Sequence, residues 1–303
     1  MKIGVAARGG MGNLVLMSPF LRALEIMGHE VELLFDGNDP RTRLLEQISW
    51  LPIRSQDLST TEAEQYQLVI AFMHPGKLSG VFSLTVREAH NVLLVPLVRW
   101  TEEPQHEIDY FMRPARMLGW TGPPPAPFLP TKKPDHDLPP HVGFAIGFMP
   151  EKEWYKKSYA WQRWRDLALA LAPHSIVLYG GGETDHTVAQ WIKEGSTNVI
   201  GEVMDAPISE VAWLLHQYCR VLVANDTGMM HVASTVGTPV VALFGPTSLR
   251  KNAPHGPGPI RIISTPAGCA PCYGQEERWS QCMGGCMNTL DTGKVLAAIH
   301  ALM

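Results

Sequence analysis

Two doubly wound α/β halves, each with a parallel sheet, are the architecture this sequence predicts. Three observations carry it. Apolar runs of strand length recur with helix-like stretches between them, the alternation breaks once in a stretch crowded with prolines, and beyond that stretch it restarts.

In the first half Ile3–Ala7, Val31–Phe35, Leu68–Phe72 and Val92–Val98 read as buried strands, and Pro19–Met27 as the helix between the first two. Strand–helix–strand order requires crossover connections and hence parallel pairing. Pro123, Pro124, Pro125, Pro127, Pro130, Pro134, Pro139 and Pro140 then follow within a short span. Proline continues neither a helix nor a central strand, so a linker is expected, dividing the chain into domains 1–130 and 131–303. In the second half Val142–Phe148, Ser175–Tyr179, Val221–Ala224, Val240–Phe244 and Ile260–Ile263 read as strands, with helices over Trp161–Leu171 and Ile208–Leu215.

Composition narrows the class. The 303 residues are 45% hydrophobic and 18% charged, as in a globular chain, and the net charge is −4 with no long basic block. That argues against nucleic acid as a partner, although a local basic face toward an anionic membrane stays compatible with it. The apolar start Ile3–Ala7 is too short for a signal peptide, and no stretch approaches the ~20 apolar residues of a membrane span, so a cytoplasmic protein is expected. The 5 cysteines of such a chain are expected as thiols or metal ligands rather than disulfides.

The most informative segment starts at Val221. An apolar strand ends at Asp226, Thr227 is placed to cap a helix, and Gly228 lets backbone approach a ligand. A helix N-terminus beyond a strand's carboxyl end suits a diphosphate. An ordinary capped strand–turn–helix has the same local pattern. The full run from Asn225 to Thr247 is longer: N-D-T-G-x-x-H-x-A-(x)3-G-T-P-V-V-A-L-F-G-P-T.

That run resembles the signature of glycosyltransferase family 9, whose best-known members transfer heptose from an ADP-sugar to the inner core of lipopolysaccharide. The resemblance extends along the chain. Gly10–Asn13 with Ser18-Pro19-Phe20-Leu21-Arg22-Ala23-Leu24 is similar to the family's first turn and helix. Gln105–Asp109 through Leu118-Gly119 is similar to its segment closing the first domain. Lys157 through Ala168 is similar to K-x-W-P-x-E-x-F-x-x-L-A, and Tyr179–Glu183 to its G-G-x-x-E turn.

The resemblance implies a GT-B fold, two Rossmann-like domains facing a central cleft, with the acceptor held by the first and a nucleotide-sugar donor by the second. It implies an inverting transferase that requires no cofactor for catalysis. The expected donor is of the ADP-heptose type and the acceptor a saccharide or glycolipid, which would place the protein at the inner face of the cytoplasmic membrane. It assigns Lys157 to the donor's phosphates, Asp226 to the donor sugar, the amides of Thr227, Gly228 and Met229 to the pyrophosphate, and Glu183 to the ribose. His231 and Thr247 line the same site, with a packed core histidine the alternative for His231. Lys152 and Lys156 read as solvated surface lysines.

One departure matters. Active heptosyltransferases carry an aspartate as catalytic base where this chain has Asn13, and an amide accepts no proton at neutral pH. His74, after the Leu68–Phe72 strand, is the first substitute base. A catalytically weak or silent sugar-nucleotide-binding relative is the alternative. A nicotinamide oxidoreductase is discounted because Gly9-Gly10-Met11-Gly12 does not have the G-x-G-x-x-G spacing.

Cys269, Cys272, Cys282 and Cys286 form C-x2-C-x9-C-x3-C, a pattern that fits a structural zinc or iron ion as well as reduced thiols in a loop. Cys219, beside an apolar strand, reads as core. Trp154, Trp161 and Trp164 read as packing rather than sugar stacking.

Overall fold

The computed structural model describes residues 1–6, 10–35, 49–55, 65–73, 91–96, 105–147, 154–273, 275–282 and 285–303. The chain divides into two compact units, Met1–Pro130 and Thr131–Met303. Each is built on its own parallel sheet.

In the first unit β1 (Lys2–Ala6), β2 (Glu30–Phe35), β3 (Ile53–Ser55), β4 (Leu68–Met73) and β5 (Val92–Pro96) pair in the order β3-β2-β1-β4-β5. All pairs are parallel. Helix α1 (Met11–Ile26) crosses from β1 to β2 and is longer than the Pro19–Met27 segment expected. Pro19, which reads as the opening of this helix, stands inside it. Its missing N–H deprives the Val15 carbonyl of a helical donor. The Ser18 hydroxyl fills that vacancy, donating to Val15 O at 2.6 Å, and accepts in turn from the Phe128 N–H at 2.9 Å. Two short helices follow, α2 (Glu107–Phe111) and α3 (Arg113–Met117). The ring of Phe72 meets Phe20 of α1 and Phe111 of α2 edge-on, at 5.4 and 5.1 Å, forming the aromatic centre of this core.

The second unit opens with β6 (His141–Ala145), a 3-10 turn (Trp154–Lys157) and α4 (Trp161–Ala170). Then come β7 (Ile176–Gly180), α5 (Glu183–Lys193), β8 (Val199–Met204), α6 (Ile208–Tyr218) and β9 (Cys219–Asn225). The unit ends with α7 (Gly228–Thr235), β10 (Val240–Phe244), α8 (Leu249–Asn252), β11 (Ile260–Ser264), α9 (Glu276–Gln281), a second 3-10 turn (Gly285–Thr289) and α10 (Thr292–His300). The sheet order is β11-β10-β9-β6-β7-β8, again all parallel.

Its central strands are covered on both faces, which is why they read as unbroken apolar runs: every residue of β6 and β10 is buried. Each large apolar side chain so buried contributes about 1.5–3 kcal/mol. Trp164 is fully buried, its ring 5.0 Å from Phe144 and 5.4 Å from Tyr159, so packing is its role as expected. Cys219 is likewise in the core, and burial pushes its thiol up to about 12. The edge strand β8 escapes sequence reading because Gly201 and Glu202 interrupt it and much of it faces solvent. No helix among the described residues is long and apolar enough to cross a membrane.

Candidate functional site

A parallel, doubly wound sheet forms its ligand crevice at the carboxyl ends of the two strands whose connections depart in opposite directions. In the second unit those strands are β6 and β9, which pair with each other while leading to β7 on one side and β10 on the other. The residues just beyond them are Ile146 and Gly147, and Asp226 and Thr227.

Backbone and side chains from both strand ends converge here. Gly147 has a φ of +36°, and a Cβ at that position would stand 3.0 Å from Thr227 Cγ2, so only glycine lets the two loops approach this closely. Asn225, fully buried, donates through Nδ2 to Ile146 O at 2.7 Å and accepts from the Tyr159 N–H at 3.0 Å. Ser158 Oγ donates to Gly147 O at 3.0 Å. The backbone after the first 3-10 turn is thereby stitched to the end of β9.

Lys157 is carried by that turn. It is 7% exposed, and its Nζ donates to the main-chain oxygen of Asp226 at 3.0 Å. Burial lowers its proton affinity, opposed by the charge of Asp226. The Asp226 side chain is 4% exposed and accepts from Asn252 Nδ2 at 3.4 Å. Asn225 and Asn252 were missed in the sequence. Asn225 lay in view inside the N-D-T-G run, while no local pattern marks Asn252.

Thr227 takes the N-cap position of α7 with the extended backbone usual there, but contrary to expectation its side chain makes no capping hydrogen bond; its Cγ2 methyl is the atom packed nearest Gly147. The first-turn amides of Gly228 and Met229 have no intrahelical acceptor, as at any helix start. Thr247, just past β10, is 4% exposed with a hydroxyl that has no partner among the described residues. His231 is buried on α7.

The start of α5 behaves differently. The Gly181 N–H donates to Asp185 Oδ2 at 2.9 Å, and the Gly182 N–H to Asp205 Oδ1 at 2.7 Å. Carboxylates sit at that end, on the amides of the two glycines that precede the helix, whereas beside the start of α7 stands a buried lysine. A helix start with a lysine beside it is suited to an anion. Glu183 sits exposed in the first turn of α5.

Lys156 corrects the expectation of a surface lysine. It is 1% exposed, donates to Trp279 O at 2.8 Å, and lies 5.0 Å from the Trp279 ring centre. The cysteine segment, which the sequence left unplaced, thus packs on the turn that bears Lys157. Gly245 seats it from below: a Cβ there would run into Met287 and stand 3.1 Å from Cys286 Sγ.

All four cysteines of the segment are free thiols, Cys272 and Cys286 buried, Cys282 half-buried and Cys269 exposed. Burial, then the other cysteines, raise Cys272, which also hydrogen-bonds Cys282. The same causes push Cys286 up to about 11. The four are neighbours, but among the described residues no three His, Cys, Asp or Glu side chains are arranged to share a metal ion.

In the first unit the equivalent switch point lies between β1 and β4. Asn13, partly exposed, stands in the first turn of α1, which starts just past β1. His74 and Lys152 lie outside the described residues.

The model of "Glycosyltransferase family 9 (heptosyltransferase)" matches residues 131–282. Lipopolysaccharide heptosyltransferase 2 of Salmonella typhimurium is 33% identical over 139 residues, a stretch covering 41% of this chain and 37% of that relative's length. A glycosyltransferase family 9 structure from Veillonella parvula superposes with a TM-score of 0.72 at 17% identity, covering 99% of this chain and 96% of that one. The structure of the ADP-heptose lipopolysaccharide heptosyltransferase II of E. coli gives 0.72 at 18% identity, with 100% and 98% covered. At such identities the likeness concerns the fold, which is GT-B.

Proposed function

Since this chain belongs to glycosyltransferase family 9, we propose that it transfers a sugar, heptose from an ADP-heptose-type donor, to a hydroxyl of a lipopolysaccharide core or related glycan. The donor sits in the second unit. The α7 amides and the Lys157 ammonium take its diphosphate, Asp226 contacts the sugar, and Glu183 takes the ribose. The acceptor belongs to the first unit, near Asn13.

The reaction is a single in-line displacement. The acceptor oxygen forms a bond to the anomeric carbon as the bond to the diphosphate oxygen breaks, the configuration inverts, ADP departs with the electron pair, and the hydroxyl proton passes to solvent. Positive charge at Lys157 and oriented amides at α7 stabilise that leaving group without a metal ion. The same site accommodates a second reading. Asn13 accepts no proton, so a chain that binds the donor and transfers slowly fits that residue. A structural zinc or iron ion on the four cysteines would lie outside the chemical step.

One observation carries the proposal: an α7 N-terminus without a side-chain cap beside a buried lysine, at the switch point of the sheet. Calorimetric titration with ADP should give saturable binding at one site. No saturable binding of ADP or ADP-heptose would end the proposal.

A further inference from the structure

We propose that Tyr273, on the cysteine segment, is a positioning residue that aims Lys157 at the donor's diphosphate; this rests on the donor reading above. The Lys157 Nζ lies 5.4 Å from the centre of the Tyr273 ring, within cation–π range. The same ammonium donates to Asp226 O at 3.0 Å. A ring face and a carbonyl oxygen thus flank the lysine head. Neither of these two groups carries a formal charge, so their hold on the ammonium is directional, while the charge of Asp226 acts on it as well.

Tyr273 is fixed in its turn. Its N–H and that of Cys272 donate to Pro246 O at 2.9 and 2.8 Å, just beyond β10. Its ring meets Trp279 edge-on at 5.0 Å. Trp279 is bolted to the first 3-10 turn by Lys156, through both its carbonyl oxygen and its ring. Cys286 Sγ packs 4.0 Å from Lys156 O. Two consecutive lysines therefore have opposite duties. Lys156 fastens the cysteine segment to the turn, and that segment returns a ring to Lys157.

The test is a comparison of ADP and adenosine binding by the full chain, wild type against Tyr273→Phe and Tyr273→Leu, with Lys157→Ala as the second axis of a double-mutant cycle. Tyr273→Leu should weaken ADP binding about tenfold and Tyr273→Phe less than about twofold, since the ring is retained. Adenosine, which lacks phosphate, should bind all of these alike. On the Lys157→Ala background, Tyr273→Leu should cost nothing more, because the two residues act as one unit. Should Tyr273→Leu not fold, Tyr273→Met carries the same comparison. The proposal is overturned if Tyr273→Leu leaves ADP affinity intact, if ADP and adenosine affinities fall together, or if the losses multiply in the double variant. Wild-type protein that binds no ADP would instead remove the donor reading, and this inference with it.

Discussion

The Lys157 ammonium donates to the main-chain oxygen of Asp226 at 3.0 Å, across 69 residues of sequence. The contact ties the turn after β6 to the loop after β9, the two strands flanking the switch point of the second sheet. It engages the carbonyl of Asp226 and leaves the carboxylate to Asn252. Lysine and aspartate are thereby held in one place with separate tasks.

Lys157→Ala should weaken ADP binding by about 10- to 100-fold, the worth of a hydrogen bond to a charged group. The pH response has a definite sign. Burial lowers the lysine's proton affinity, and only the ammonium attracts phosphate, so affinity should fall as pH rises, starting below the ordinary lysine range. The Lys157→Ala variant should bind weakly and show no such alkaline decline. Titration calorimetry across the alkaline range checks both.

Asn13→Asp supplies the carboxylate that this position lacks. Transfer from ADP-heptose should accelerate by about 10²–10⁴-fold, the usual worth of a general base. ADP affinity should not change, because Asn13 belongs to the first unit and the groups proposed to bind the phosphates to the second. Steady-state kinetics with a core-saccharide acceptor decides it. An unchanged rate would mean that another group already removes the proton.

Asn225→Ala removes a donor to Ile146 O and an acceptor for the Tyr159 N–H, both buried. Two backbone groups left without partners should cost about 2–5 kcal/mol of folding stability. Urea denaturation measures it, with Asn225→Asp as comparison: that variant retains the acceptor and loses the donor.

Ser18→Ala should destabilise the first unit by about 1–3 kcal/mol, since Val15 O loses the hydroxyl that compensates Pro19 and the Phe128 N–H loses its acceptor. Pairing it with Pro19→Ala, which restores the helical N–H to Val15, should recover part of the loss in the same measurement.

Prolonged chelation should leave ADP affinity unchanged, because the charge proposed to face the diphosphate comes from Lys157 and the α7 amides. Dialysis against a chelator followed by ADP titration tests it. A large loss of affinity would assign the phosphate-facing charge to a metal ion.

Helix boundaries show where sequence reading reaches its limit. Pro19 reads locally as a helix start, and only the Ser18 hydroxyl, itself bonded to Phe128, makes it tolerable inside one. Lys156 and Lys157 are adjacent and chemically identical, so nothing local separates an anchor from a ligand-facing group. Asn252 belongs to no repeat or motif of the chain, and Tyr273 stands at an unspecified position of the cysteine pattern.

By itself the sequence determined the two α/β halves and the strand that delivers Asp226 to a helix start, because buried parallel strands must be continuously apolar and a glycine must stand where backbone approaches a ligand. The tertiary structure alone decided which lysine is buried against which aromatic ring, why a lysine stands beside the start of α7 and carboxylates beside that of α5, and where the cysteine segment lies. Those outcomes depend on side chains that meet across tens of residues, at distances set by how the strands order themselves in the sheet, and no local periodicity encodes that order.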